Sequence, residues 1–137
     1  MNLDPSAFVA APELIQALEK RSTVISCGGD RVLFKQGDTP EGVYILDQGE
    51  TTLIMTSPNG VELMSIQARP GSLLGLPGLI GDEPYTLTAI AREGARLNFV
   101  SRDEFTTLMQ TKPLLSLKIL EVLAAEVSSA RRALSHR

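Results

Sequence analysis

The sequence predicts an α+β fold, mainly β. Three observations carry this expectation. Between residues 24 and 100, short apolar runs alternate with turns rich in Gly and Pro, the pattern of a sandwich or roll of many short strands. From Ser101 onward the apolar period lengthens to that of helices. One short helical segment, PELIQALEK, precedes the strands. A chain of 137 residues favours one domain spanning 1–137. It divides into an N-terminal helical segment (1–23), a β region (24–100) and C-terminal helices (101–137).

In chain order, Pro12 opens the first helix at a position that suits proline, and Leu14, Ile15 and Leu18 share one face. Strands are expected at 24–26, 31–34, 43–46, 51–56, 61–66, 86–91 and 95–100. The SPNG turn at 57–60 suits a hairpin, with Pro second and a left-handed Gly fourth. Ser101 and Glu104 fit a capping box, and Pro113 is expected to start a long final helix.

That last helix carries two stripes. Leu117, Leu120, Ala124, Val127, Arg131 and Leu134 follow 3–4 spacing, an a/d seam over nearly three heptads. Leu115, Ile119 and Val122 lie beside it. One stripe can pack on the strands and the other on a second copy, so the expected partner is a homodimer. The alternative, that both stripes face their own chain, stays open.

Composition narrows the function. Hydrophobic content is 43% and charged content 21%, ordinary for a globular protein. No apolar run is long enough for a membrane helix, and the N-terminus lacks the features of a signal peptide. The single cysteine, Cys27, cannot form an internal disulfide, which favours the cytoplasm. A net charge of −3 argues against a nucleic-acid surface. The basic residues of the final SSARRALSHR suit a helix C-terminus. The lone histidine, His136, reads as a solvated terminus.

The stretch FKQGDTPEGVYILDQGE, Phe34 to Glu50, resembles the signature of the cyclic-nucleotide-binding domain superfamily. Phe34, Gln36, Gly37, Asp38, Tyr44 and Gly49 match at the expected spacing. The resemblance covers nearly the whole chain and implies a jelly-roll-like β-roll with flanking helices. In the catabolite-activator and Fnr type of regulator, the last helix is the dimer seam. It also places the phosphate-binding cassette at GSLLGLPGLIGDEPYTLTA, Gly71 to Ala89. Gly71, Leu74, Gly75, Leu76, Pro77, Gly78, Tyr85, Thr86 and Leu87 are thereby the candidate ligand-binding residues.

In the family's cyclic-nucleotide binders a Glu takes the ribose hydroxyl and an Arg pairs with the cyclic phosphate. Here Leu76 occupies the Glu position and Tyr85 the Arg position, while Gly71, Gly75 and Thr86 keep their places. There is no Lys or Arg between Pro70 and Ala91. Charged hydrogen bonds contribute roughly 1.5–3 kcal/mol each, so losing two weakens a nucleotide about a hundredfold or more. Leu73, Leu74, Leu76, Leu79, Ile80 and Tyr85 would line the site with apolar surface, suiting a small apolar or aromatic molecule. Tyr85 or Thr86 would supply a polar contact. Arg69 and Arg92 flank the segment.

Other chemistries find no support in the sequence. There is no cluster of His, Cys or carboxylate ligands for a metal, too few cysteines for an iron–sulfur sensor, and no histidine placed for nucleophilic catalysis. The pairs Asp82-Glu83 and Asp103-Glu104 read as a solvated turn and a helix start.

The expected protein is therefore not an enzyme. It is a ligand-sensing or regulatory module without a cofactor, which does not bind cyclic AMP or cyclic GMP in the standard way. A weak nucleotide binder held by backbone amides near Leu76–Leu79 and a purely structural dimerisation module remain open alternatives. A small-molecule ligand and a further protein partner are compatible with the pattern. Full-length regulators of this type carry a helix-turn-helix after the long helix. This chain ends before one, so it is expected not to bind nucleic acid alone. The chain is either a stand-alone sensor or an excised domain; Met1 and the natural-looking end favour a complete short protein.

Overall fold

The computed structural model describes residues 4–135; within the last helix, the side chains of Ala130, Ala133, Leu134 and Ser135 fall outside that description. The expectation for His136 lies outside the described residues, as does that for the side chain of Leu134. A 3-10 turn, Pro5–Phe8, comes first and was not anticipated; the Asp4 carboxylate accepts from Ser6 N–H at 3.0 Å and caps it. Helix α1 follows at Pro12–Glu19.

The strands are β1 (Thr23–Ser26), β2 (Arg31–Phe34), β3 (Gly42–Gln48), β4 (Thr51–Thr56), β5 (Glu62–Ala68), β6 (Leu73–Leu74), β7 (Thr88–Ala91) and β8 (Arg96–Ser101). They form two antiparallel four-stranded sheets, ordered β1-β8-β3-β6 and β2-β7-β4-β5. Three helices complete the fold: α2 (Leu76–Gly81), α3 (Arg102–Thr111) and α4 (Leu115–Ser135). This is the jelly-roll-like, mainly β fold expected from the sequence.

Alternation along the strands creates two cores. In β3, Leu46 and the half-buried Tyr44 point between the sheets, joining Phe34, Leu53, Leu74, Tyr85 and Leu97. Its neighbours Val43 and Ile45 point the other way, under the helices, with Leu14, Leu18, Leu73, Leu76, Phe105, Ile119 and Val122. Both faces of β3 are covered, which explains its near-continuous apolar run.

Two local details differ from the sequence expectation. Ser101 Oγ does accept from Glu104 N–H at 3.2 Å, but the Glu104 carboxylate turns to Arg21 at 3.1 Å instead of reaching back. Ser101 also ends β8, where it lies opposite Gly42. Pro113 does not begin α4. It lies in a turn, and the regular helix starts at Leu115, after the hydrogen bond from Leu115 N–H to Lys112 carbonyl at 3.0 Å.

A candidate ligand cavity between the roll and the last helix

The loop from Arg69 to Leu87 builds the site. Gly71 N–H donates to Leu46 carbonyl at 2.7 Å, and Gly71 carbonyl accepts from Ala10 N–H at 3.0 Å. These bonds tie the loop to β3 and to the N-terminal segment. Gly75 then turns the chain into α2 with φ of +86°, a conformation that suits glycine. A Cβ on Gly75 would also meet Tyr85 Cε1 at 2.8 Å. The loop and the tyrosine ring are therefore fitted to each other.

Tyr85 is fixed at every polar atom. Its N–H donates to Asp38 carbonyl at 2.9 Å, its carbonyl accepts from Gly37 N–H at 2.8 Å, and its hydroxyl donates to Gly42 carbonyl at 2.7 Å. The ring stacks on Phe34 with centroids 3.9 Å apart and planes 22° from parallel. Burial raises the phenol above its ordinary pKa, opposed by the bond to Gly42. The signature residues thus have a visible task. Phe34 and the turn around Gly37 and Asp38 hold Tyr85, while Gln36 clamps β4 by donating to Thr56 carbonyl at 2.9 Å and accepting its N–H at 2.8 Å.

Behind the Tyr85 ring lies a cavity of about 130 Å³. Its walls include Phe8, Phe34, Leu53, Met55, Leu74 and Leu87, with Gly75, Pro77, Gly78, Tyr85 and Thr86 from the loop. Of the candidate residues, Gly71 and Leu76 are not in this lining. Leu76 is fully buried in the core beneath the helices. Leu73 and Leu79 also belong to that core, and Ile80 is exposed.

Neither flanking arginine lines the cavity. Arg92 donates to Thr52 Oγ1 at 2.9 Å and to Asp30 at 3.0 Å, while Arg69 borders a separate surface depression with Pro5, Gly49 and Glu50. No Lys or Arg is in the cavity lining.

Four lining residues come from outside both the cassette and the strands: Ala7 and Phe8 on the 3-10 turn, Glu126 and Ser129 on α4. Sequence reasoning did not single them out. The signal for the last two was present, because Leu115, Ile119 and Val122 continue at 3–4 spacing into Glu126 and Ser129. The inner stripe turns polar where it passes over the cavity. Ser129 Oγ accepts from Asp4 N–H at 2.7 Å and so ties α4 to the 3-10 turn. Glu126 Oε1 is buried with no hydrogen-bond partner, and burial pushes its carboxyl up from 4.5 to about 8. The outer stripe is open, with Leu117, Leu120 and Val127 each more than half exposed and Ala124 and Arg131 also exposed.

Among the described residues, no group of three or more His, Cys, Asp or Glu side chains is placed to hold a metal ion. Among the same residues, no helix is long and apolar enough to cross a membrane.

The family model described as the cyclic nucleotide-binding domain matches residues 24–112. The chain belongs to the cyclic nucleotide-binding domain family. It is 26% identical over 98 residues to the cyclic AMP receptor protein of Thermus thermophilus, covering 72% of this chain and 45% of that relative. The chain thus spans less than half the length of that curated relative.

Among solved structures, the catabolite activator protein of Thermus thermophilus superposes with a TM-score of 0.79 at 23% identity, over 96% of this chain and 62% of the other. Oxidized CprK in complex with o-chlorophenolacetic acid superposes with a TM-score of 0.76 at 17% identity, over 95% and 53%. At these identities the likeness speaks for the fold.

Proposed function

We propose that this chain is a non-enzymatic, cytoplasmic regulatory domain, dimeric through α4, whose cavity takes a small apolar ring in place of a cyclic nucleotide. The observation that carries this reading is Tyr85. Where the family's binders offer a guanidinium to a phosphate, a phenol ring stacks on Phe34 and spends its hydroxyl on Gly42. The CprK complex supports it, since a related fold holds a single-ring aromatic acid. The cavity volume agrees: about 130 Å³ is close to the roughly 150 Å³ of an apolar cavity that binds benzene. The buried, unpaired Cys27 suits a reducing compartment.

A signal route follows from the lining. An occupant touches the roll through Phe34, Leu53 and Tyr85 and touches α4 through Glu126 and Ser129. A ligand that prefers one placement of α4 shifts the population toward it, and α4 also carries the exposed stripe available to a second copy. The smaller reading, a structural dimerisation module, draws on the same volume, which is below the ~300–1,000 Å³ of typical ligand sites.

A thermal-shift series separates these readings, because a ligand that binds only the folded form raises the melting temperature. Toluene and phenol at millimolar concentration are expected to raise it, and cyclic AMP and cyclic GMP to leave it unchanged. A rise with the nucleotides alone overturns the proposal. No rise with any compound favours the dimerisation module.

A further inference from the structure

We propose that the ligand of this cavity is a single-ring aromatic amine, held by an N–H hydrogen bond to Glu126 Oε1. The inference rests on the reading that the cavity takes a ligand and adds the chemistry of its polar end.

The walls set the body of the ligand. Phe8, Phe34, Leu53, Met55, Leu74 and Leu87 offer carbon surface, and about 130 Å³ accommodates one six-membered ring, not a fused pair. The polar end is set by which groups have capacity left. Tyr85 has already donated its hydroxyl to Gly42, and Ser129 Oγ already accepts from Asp4 N–H. Glu126 Oε1 is the lining atom that is buried and unpartnered. A buried acceptor without a donor is costly, and the cost is relieved by whatever brings the donor.

The missing group is therefore a donor. A carboxylate or phosphate would bring a buried negative charge, with no Lys or Arg in the lining to offset it. A phenol would donate, but would leave its own oxygen lone pairs against carbon walls. An amine nitrogen conjugated to a ring donates two N–H groups and accepts poorly. Glu126 and Tyr85 are the two titratable side chains in the lining; burial keeps the Glu126 carboxyl neutral up to about 8, so the proton occupies one oxygen and the other remains an acceptor. It is thus placed to read hydrogen-bond donors on an otherwise apolar molecule.

The test is calorimetric titration of the full chain with toluene, aniline and benzoate, ligands of similar size that differ at one substituent. The expected result is aniline binding roughly tenfold or more tighter than toluene, with no binding of benzoate. In Glu126→Leu the preference for aniline is expected to vanish. Equal affinities for toluene and aniline overturn the role of Glu126 and leave the apolar cavity standing. No binding of either overturns the ligand cavity itself. Benzoate tighter than aniline overturns the donor chemistry.

A second readout does not depend on the folding of a variant. With glutamate labelled at its carboxyl carbon, the Glu126 resonance is expected to move on saturation with aniline and to stay put with toluene. A resonance unmoved by bound aniline overturns the inference.

Discussion

Tyr85 is held by its surroundings as a ring, stacked on Phe34 with its hydroxyl bonded to Gly42 carbonyl. Tyr85→Phe removes the 2.7 Å bond to Gly42 carbonyl and is expected to cost about 1–2 kcal/mol in urea unfolding, with the stack on Phe34 kept. Gly75→Ala is expected to cost about 1–3 kcal/mol by the same measurement. Its φ of +86° disfavours a side chain, and the new Cβ would sit 2.8 Å from Tyr85 Cε1. Leu76 makes a different point. Leu76→Glu would bury an unpaired charge in the core beneath the helices, since Leu76 is 0% exposed. The expected outcome is a protein that loses its cooperative melting transition, with no gain of nucleotide affinity by calorimetry.

At the scale of elements, α4 is where sequence pattern and function meet. Its inner stripe begins as core, with Ile119 and Val122 buried, and ends as cavity wall at Glu126 and Ser129. Burial holds the Glu126 carboxyl protonated up to about 8 in the folded chain, against 4.5 as its ordinary value. Between those two values the folded form binds the proton and the unfolded form does not. Stability therefore falls as pH rises from about 4.5 to about 8. A melting series across this window is expected to show the decline, and Glu126→Gln is expected to flatten it. An equally steep decline in the variant would assign the effect elsewhere. Nearby, Ser101→Ala removes the cap on α3 and is expected to cost about 1 kcal/mol.

At the scale of the whole molecule, the open stripe on α4 bears on assembly. Leu117, Leu120 and Val127 are 58%, 58% and 51% exposed, large apolar side chains in one line on a single helix. Light scattering at tens of micromolar is expected to give a dimer mass, and Leu120→Glu with Val127→Glu a monomer. A monomer from the unaltered chain would remove the seam. The roll itself was legible from the sequence because strands and turns are local: the run TTLIMT marked β4 to the residue, and SPNG formed its hairpin, with Gly60 N–H donating to Ser57 carbonyl at 2.9 Å. The two-residue β6 and the 3-10 turn at Pro5–Phe8 were not legible. Each is too short to show a period, and each is held by partners distant in sequence, as in the pairing of Leu73 and Leu74 with Ile45 and Tyr44.

The sequence by itself determined most of the order of strands and helices, the family signature from Phe34 to Gly49, the absence of Lys and Arg between Pro70 and Ala91, and the two stripes of α4. These follow from residue type and spacing, which are local properties. Only the tertiary structure decided that Leu76 belongs to a core and Tyr85 to a cavity. It also decided that Phe8 and Glu126, near opposite ends of the chain, share that cavity. A pocket is the space left when distant segments pack, so its walls are set by which faces meet and not by the pattern of any one segment.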